Sequence, residues 1–222
     1  MTNELPTRAA HAANSTLDPV SAEVLAWMRN GFVIFSGSLF IAICAHVTLP
    51  LTITPAPITL QDFGVIALAL LIGPRLVMFT TLAYLAEGAA GLPVFAPGLV
   101  GLTGAAHILG PTGGYLMAYP TAAVVVSFLW RTGERSYLGA LVSAGAGNII
   151  LLTLGGLWLG LNTHISPQAV IAQGVAPFLP GDAIKVALAA FLGNEWYRMS
   201  PAPRRPLPTI NPPSDSDWSH LD

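Results

Sequence analysis

The sequence predicts an all-α integral membrane protein, a six-transmembrane-helix bundle with both termini cytoplasmic, and three observations carry that prediction. The first is composition: hydrophobic residues make up 53% of the 222-residue chain and charged residues only 9%, against roughly 25% charged in an average soluble domain. So few charges cannot cover a surface facing water, whereas they suit one facing lipid. The second is distribution: of the 20 charged residues, 12 lie within positions 1–30 and 195–222, leaving eight for the 164 residues between. The third is the placement of the arginines relative to six apolar segments. A net charge of −2 and the absence of a basic patch interleaved with aromatics leave no footprint for nucleic acid. The single cysteine, Cys44, excludes an intramolecular disulfide and any multi-cysteine metal site, and reads as a small apolar helix residue.

Residues 1–29 mix Glu4, Arg8, Asp18, Glu23 and Arg29 with small polar residues and lack the apolar core of a secretory signal, so they read as a mobile cytoplasmic tail. A lipid-anchor reading of Ile41-Ala42-Ile43-Cys44 fails, because Ile43 is bulky where a small residue must precede the cysteine. The membrane domain spans 30–200, with apolar segments at 30–49, 60–73, 76–92, 114–130, 138–161 and 179–199. The second segment has about 14 residues, which at 1.5 Å per residue cover about 21 Å of a hydrocarbon core about 30 Å thick. It must tilt, break or thin the bilayer. Gly73-Pro74-Arg75 terminates it and carries a cation. The fifth segment bears Gly139, Ser143 and Gly147 at i, i+4 and i+8, a small-residue stripe that lets another helix approach, from this molecule or a neighbour. Residues 201–222 hold Pro201, Pro203, Pro206, Pro208, Pro212 and Pro213 with scattered charge and read as a disordered cytoplasmic tail.

Six crossings put alternate connections on opposite sides. Arg8 and Arg29 precede the first helix, Arg75 lies between the second and third, Arg131 and Arg135 between the fourth and fifth, and Arg198, Arg204 and Arg205 at or beyond the end of the sixth. The connections near 50–59, 93–113 and 162–178 contain neither Arg nor Lys. All eight arginines therefore fall on one side, which the positive-inside rule makes cytoplasmic. Fusing the second and third segments would destroy that pattern.

Four charges remain where water is scarce: Asp62, Glu87, Asp182 and Lys185. An Asp or Lys at mid-bilayer costs about 2.5–3.5 kcal/mol on insertion scales, so each marks a candidate site. Asp182 and Lys185 stand at i and i+3 on the first turns of the last helix, and Lys185 is the only lysine. Two readings are open: an ion pair that offsets its own insertion cost, or a polar clamp whose carboxylate accepts N–H bonds and whose ammonium donates to a carbonyl or carboxylate. Pro180-Gly181 sets the pair near a helix N-terminus at the outer side, which also favours anionic ligands. The 93–113 connection is about 21 residues long, free of charge and rich in Gly and Pro, the composition of a lid, a binding loop or a packed re-entrant segment. His107 within it can bond a ligand or its own loop. Gln61 and Asn148 offer amides that could read a ureido or pteridine-like edge or hydrogen-bond between helices. Tyr84 and Tyr115 are candidates for ligand stacking or for interface anchoring, and Glu87 for a cavity acid or an outward-snorkelling carboxylate.

No His-Glu-x-x-His zinc motif and no Gly-x-Ser-x-Gly nucleophile turn occur, so no catalytic residue and no metal site are assigned and no enzyme is expected. A phosphate-binding loop needs Gly-Lys followed by Ser or Thr, whereas Lys185 lies between Ile184 and Val186, so any ATP used must be bound by another chain. An intramembrane enzyme using Glu87 and His107 as acid and base is the rival class.

Ala56-Pro57-Ile58-Thr59-Leu60-Gln61, Gly88-Ala89-Ala90-Gly91-Leu92-Pro93-Val94-Phe95, Gly110-Pro111-Thr112-Gly113-Gly114-Tyr115 and Pro177-Phe178-Leu179-Pro180-Gly181-Asp182-Ala183-Ile184-Lys185 together resemble the signature blocks of the BioY family, in family order, across about residues 35–195. The resemblance implies the biotin-binding S component of an energy-coupling-factor transporter: a multi-pass protein of the bacterial cell (inner) membrane that holds biotin near the outer face, with biotin as substrate and no cofactor. It implies a transmembrane coupling protein and two cytoplasmic ATPase subunits as partners, or a solitary protein that could form a homo-oligomer. It aligns Asp182 and Lys185 with the family's polar pair at the biotin head group, and Gly113, Gly114 and Tyr115 with its loop-to-helix turn. On that reading Asp182 accepts from the ureido N–H groups and Lys185 donates to the ureido oxygen, while Thr112, Tyr115 or backbone N–H groups are candidates for the valerate carboxylate. Ser38-x-x-x-Ala42 stands where the family carries an Ala-x-x-x-Ala docking patch for the coupling protein, departing in its first residue. Thiamin or riboflavin is the alternative substrate; the Pro-Gly-Asp-x-x-Lys block favours biotin.

Overall fold

All six apolar segments fold as helices, and their order is the frame on which the site is hung. The structure is a computed structural model that describes residues 19–49, 57–97 and 102–200; the expectations for residues 1–18 and for the proline-rich 201–222 lie outside the described residues. Helix α1 runs Pro19–His46, α2 Gln61–Leu71, α3 Pro74–Ala89, α5 Gly113–Thr132, α6 Tyr137–Thr163 and α8 Leu179–Met199. Between them sit a one-turn helix α4 (Ala105–Leu109), and α7 (Pro167–Val170) continuing into a π-helical turn at Ile171–Val175. Strands β1 (Thr48–Leu49) and β2 (Ile58–Thr59) pair antiparallel, Thr48 opposite Thr59, and bring the end of α1 back to the start of α2.

The chain is a mostly helical, multi-pass membrane protein. Helices α1, α5 and α6 are each long and apolar enough to cross a bilayer, and a fourth span arises if α8 is counted with the segment before it, to which it is bent by 49°. With 11 residues α2 is shorter than the sequence suggests, and α3 has 16. One correction concerns a boundary. Helix α1 starts at Pro19, not near residue 30, because Ala22 to Met28 are good helix formers and the charges of Glu23 and Arg29 bar a turn from the hydrocarbon without breaking it. Its 28 residues make it about 42 Å long, more than one bilayer core. The connection after α6 carries a short helix, in which Ser166 caps α7 by accepting from the N–H of Ala169.

Lipid-facing and core-facing sides are both apolar here, so the helices are sorted by residue size. On α8 the large Ile184, Leu188, Phe191 and Leu192 are exposed, while Ala189, Ala190 and Gly193 are buried. The closest seam joins α5 to α6: Gly114 lies against the side chain of Trp158, Gly155 against the ring of Tyr115, and Gly147 against Val126. A Cβ at Gly155 would occupy the tyrosine ring, so glycine is required there. This assigns the stripe of the fifth segment, through Gly147, to packing within the molecule; Ser143 closes onto the carbonyl of Gly139 at 2.8 Å. The short α2 ends against α5, where the Ser127 hydroxyl donates to the Ile72 carbonyl at 2.9 Å and satisfies a buried C-terminal acceptor.

Candidate functional site

Helices α2, α5 and α8 all begin at one end of the bundle, and a cavity opens where their N-termini meet. Its polar lining comes from Thr59, Gln61 and Asp62 at the start of α2, Thr112, Tyr115 and Tyr119 on α5, Asn148 on α6, and Asp182 and Lys185 on α8. Its apolar walls are Pro57, Ala96, Leu102, Pro111, Leu116, Leu151, Leu152 and Phe178, and His107 of α4 completes it. Few polar groups set among apolar walls make a small-molecule site.

The charged centre is a lysine held between two carboxylates. Lys185 Nζ donates to both oxygens of Asp62 at 2.9 and 3.0 Å and to Asp182 Oδ1 at 3.1 Å. The lysine and Asp182 side chains are only 8% and 5% exposed, and that of Asp62 is 17%. Asp62 and Asp182 each occupy the first turn of their helix, where the positive end of the helix dipole favours a carboxylate. Lys185 therefore stitches α8 to α2 in the cavity lining. Next to this cluster, Gln61 is 3% exposed and its Nε2 is the one buried side-chain nitrogen or oxygen without a hydrogen-bond partner among the described residues.

The loop over the cavity is fastened by side chains that reach its backbone. Tyr84 donates to the Val94 carbonyl at 2.9 Å, Trp158 Nε1 to Gly110 at 2.9 Å, and Asn162 to Leu109 at 3.0 Å. Phe95 lies on Gly88, meets Tyr84 edge-on with ring centroids 5.4 Å apart, and packs beside His107 at 5.2 Å. His107 Nδ1 is paired with the Leu102 carbonyl at 3.1 Å. Below, the Tyr115 hydroxyl donates to the Gly174 carbonyl at 2.5 Å and ties α5 to the π-helical turn. The expected loop at 93–113 thus carries a short helix and packed anchors; residues 98–101 of it are outside the described residues.

Of the expected site residues, Asp182, Lys185, Gln61, Thr112, Tyr115 and Asn148 all line this one cavity. Gly113, Gly114 and Tyr84 do not: the two glycines are buried at the α5 start, packed on Ile108 and Trp158, and Tyr84 is buried behind the loop it anchors. Ser38 and Ala42 are buried as well, and Ser38 hydrogen-bonds Glu87 of α3. These two positions face inward in this structure, while Leu39, Phe40 and Ile43 of the same stretch are exposed. The same bond engages Glu87 away from the cavity, so Glu87 and His107 are not brought together as an acid and base. Sequence reasoning did not assign Asp62, Thr59, Tyr119 or Phe178 to the site. Asp62 had a signal, being one of four charges in the apolar stretch, and Thr59 and Phe178 stand inside the quoted signature blocks; Tyr119 looks like an ordinary membrane-helix residue. Among the described residues no cluster of His, Cys, Asp or Glu is arranged to hold a metal.

A family model described as "BioY family" matches residues 14–202. The "Biotin transporter BioY" of Thermotoga maritima is 37% identical over 153 residues, 68% of this chain and 86% of that protein. The "Biotin transporter BioY2" of Lactococcus lactis is 30% identical over 162 residues, 73% and 86% of the two chains. Among solved structures, the S-component for biotin from an ECF-type ABC transporter superposes with a TM-score of 0.69 at 26% identity, covering 84% of this chain and 96% of that one.

Proposed function

The chain belongs to the BioY family, and from that premise we propose that it captures biotin as the substrate-binding S component of an energy-coupling-factor transporter. The observation that carries this reading is the cavity itself: a largely buried carboxylate–ammonium–carboxylate cluster in a pocket that also presents neutral polar side chains and apolar walls. Biotin has the matching division, a cyclic urea with two N–H donors and one carbonyl, joined to an apolar ring and chain. The carboxylates are the acceptors for the urea N–H groups. Leu116, Leu151, Leu152 and Phe178 supply the wall for the thioether ring and valerate chain. Thr112, Tyr115 and the N-terminus of α5 are the groups suited to the ligand's carboxylate.

Six crossings with both termini cytoplasmic agree with the arginine distribution, and they set the cavity at the outer face of a bacterial inner membrane. Energy for release comes from outside the chain, since it has no phosphate-binding loop. The partners proposed are a membrane coupling protein and two ATPase subunits, with a homo-oligomer as the solitary form. The test is retention of labelled biotin by membranes containing the protein, in competition with thiamin and riboflavin. Displacement by unlabelled biotin alone supports the reading; displacement by thiamin or riboflavin, or no retention, refutes it.

A further inference from the structure

Away from the cavity, α5 stops at Thr132 and α6 starts at Tyr137, and the short link between them carries Arg135, four residues on from Arg131. The Arg135 guanidinium rests on the rings of Trp130 and Tyr197, 4.8 and 5.0 Å from their centroids, and those two rings meet edge-on at 5.9 Å. Trp130 is fully buried, so the platform under Arg135 is fixed. Arg131 is exposed and reaches the start of α3: its guanidinium lies 3.7 Å from where a side chain would begin at Gly73. Positive charge thus gathers here, since Arg75 stands in the first turn of α3 and that helix end carries the positive pole of its dipole.

Nothing in the protein balances it. Among the described residues Arg75, Arg131 and Arg135 form no ion pair, Glu195 is taken by Arg198, and the exposed Glu134 pairs with no cation. Burial, then repulsion from Arg131, lowers the pKa of Arg135. Stacking on aromatic rings engages only the faces of a guanidinium and leaves its N–H donors free at the edge. The positive-inside rule asks for arginines on this side of the membrane, but it does not ask for two of them to be held together beside a helix N-terminus. The flanks are apolar: Phe128 and Leu129 precede Arg131, Leu138 follows Arg135, and all three are exposed.

We propose that Arg131 and Arg135 form a binding site for the phosphate of an anionic phospholipid, with its acyl chains lying along Phe128 and Leu138. A guanidinium fork matches phosphate oxygens, and basic pockets between membrane helices on the cytoplasmic side take acidic head groups. The exposed apolar flanks are what favour a lipid over a free anion. This site is separate from the cavity, and its test does not depend on the biotin reading.

Retention of phosphatidylglycerol and of phosphatidylcholine by the purified full chain is measured by native mass spectrometry at matched lipid concentrations. Wild type should prefer the anionic lipid by about tenfold, the effect of one or two charge-assisted hydrogen bonds. Arg131→Gln together with Arg135→Gln should bring the two lipids to within about twofold of each other, whereas Arg198→Gln, at an exposed pair, should keep the wild-type ratio. Should the double variant fail to fold, Arg131→Gln alone, which leaves Arg135 on its rings, decides the matter by lowering the preference to about threefold. A wild type that retains both lipids alike overturns the site. So does a preference that survives in both Arg131→Gln and the double variant, or that falls as far in Arg198→Gln. Displacement of the lipid by an equal concentration of inorganic phosphate shows a site for a free anion, and overturns the lipid assignment.

Discussion

At the end of the bundle where α2, α5 and α8 begin, two buried charges, Asp182 and Lys185, and a partly buried one, Asp62, are paired with one another. At the opposite end, the charges stay wet or rest on aromatic faces. Arg198 pairs with Glu195 at 3.0 Å with its side chain 69% exposed. Arg135 lies over the rings of Trp130 and Tyr197 at 4.8 and 5.0 Å; partial burial, then the neighbouring Arg131, pull its pKa below the usual guanidinium value. Both ends are polar terminations of one apolar bundle, yet their energetics differ. An exposed pair contributes little and tolerates loss, whereas removing one partner from a buried cluster leaves an uncompensated charge. The comparison separates exposed charges that terminate the bundle from charges that line the cavity.

The contrast can be broken most severely at its centre. Lys185→Met should destabilise the protein by about 3–5 kcal/mol, because two carboxylates are left buried without a cation. A thermal unfolding series in detergent would register it, and Asp62→Asn in the same chain should restore part of the loss. An unchanged melting profile for Lys185→Met would show that the cluster is solvated. Next in size, Gly155→Val drives a side chain into the ring of Tyr115, and overpacking of that kind costs about 1–3 kcal/mol. Because Tyr115 lines the cavity, labelled-biotin retention should fall by at least about tenfold. A smaller effect is expected behind the loop. Tyr84→Phe removes the donor to the Val94 carbonyl, worth about 1 kcal/mol, and should speed biotin dissociation about fivefold in a filter-binding chase. The smallest belongs to the other end: Arg135→Ala forfeits a cation–π contact of about 0.5–1 kcal/mol. Biotin affinity there should stay within about twofold of wild type. A tenfold loss for Arg135→Ala would erase the distinction between the two ends.

Much of this was legible beforehand, for reasons that differ by residue. Asp182 and Lys185 stand out because a charge in a greasy helix is expensive enough to demand an explanation, and both line the cavity. The break at Gly73-Pro74 appears as the step from α2 to α3, since proline cannot continue a helix but readily starts one. Asp62 was visible as a charge but not as a partner of Lys185, because they are 123 positions apart and only the packing of α2 on α8 joins them. Tyr84 illustrates the converse. A tyrosine near a membrane face suits ligand stacking or interface anchoring equally, and its bond to Val94 depends on how the loop folds back.

Composition and arginine placement by themselves determined that this is a membrane-embedded helical protein with its unusual charges in a few known positions, because solvation energy acts on each residue separately and can be read one residue at a time. Which faces turn inward was decided only in three dimensions. Lipid and protein core are equally apolar, so hydrophobicity does not distinguish Ile184 facing outward from Ala189 facing inward. The meeting of three helix N-termini and the sharing of Lys185 between two carboxylates are properties of that packing, and they exist only once distant segments are brought within hydrogen-bond reach.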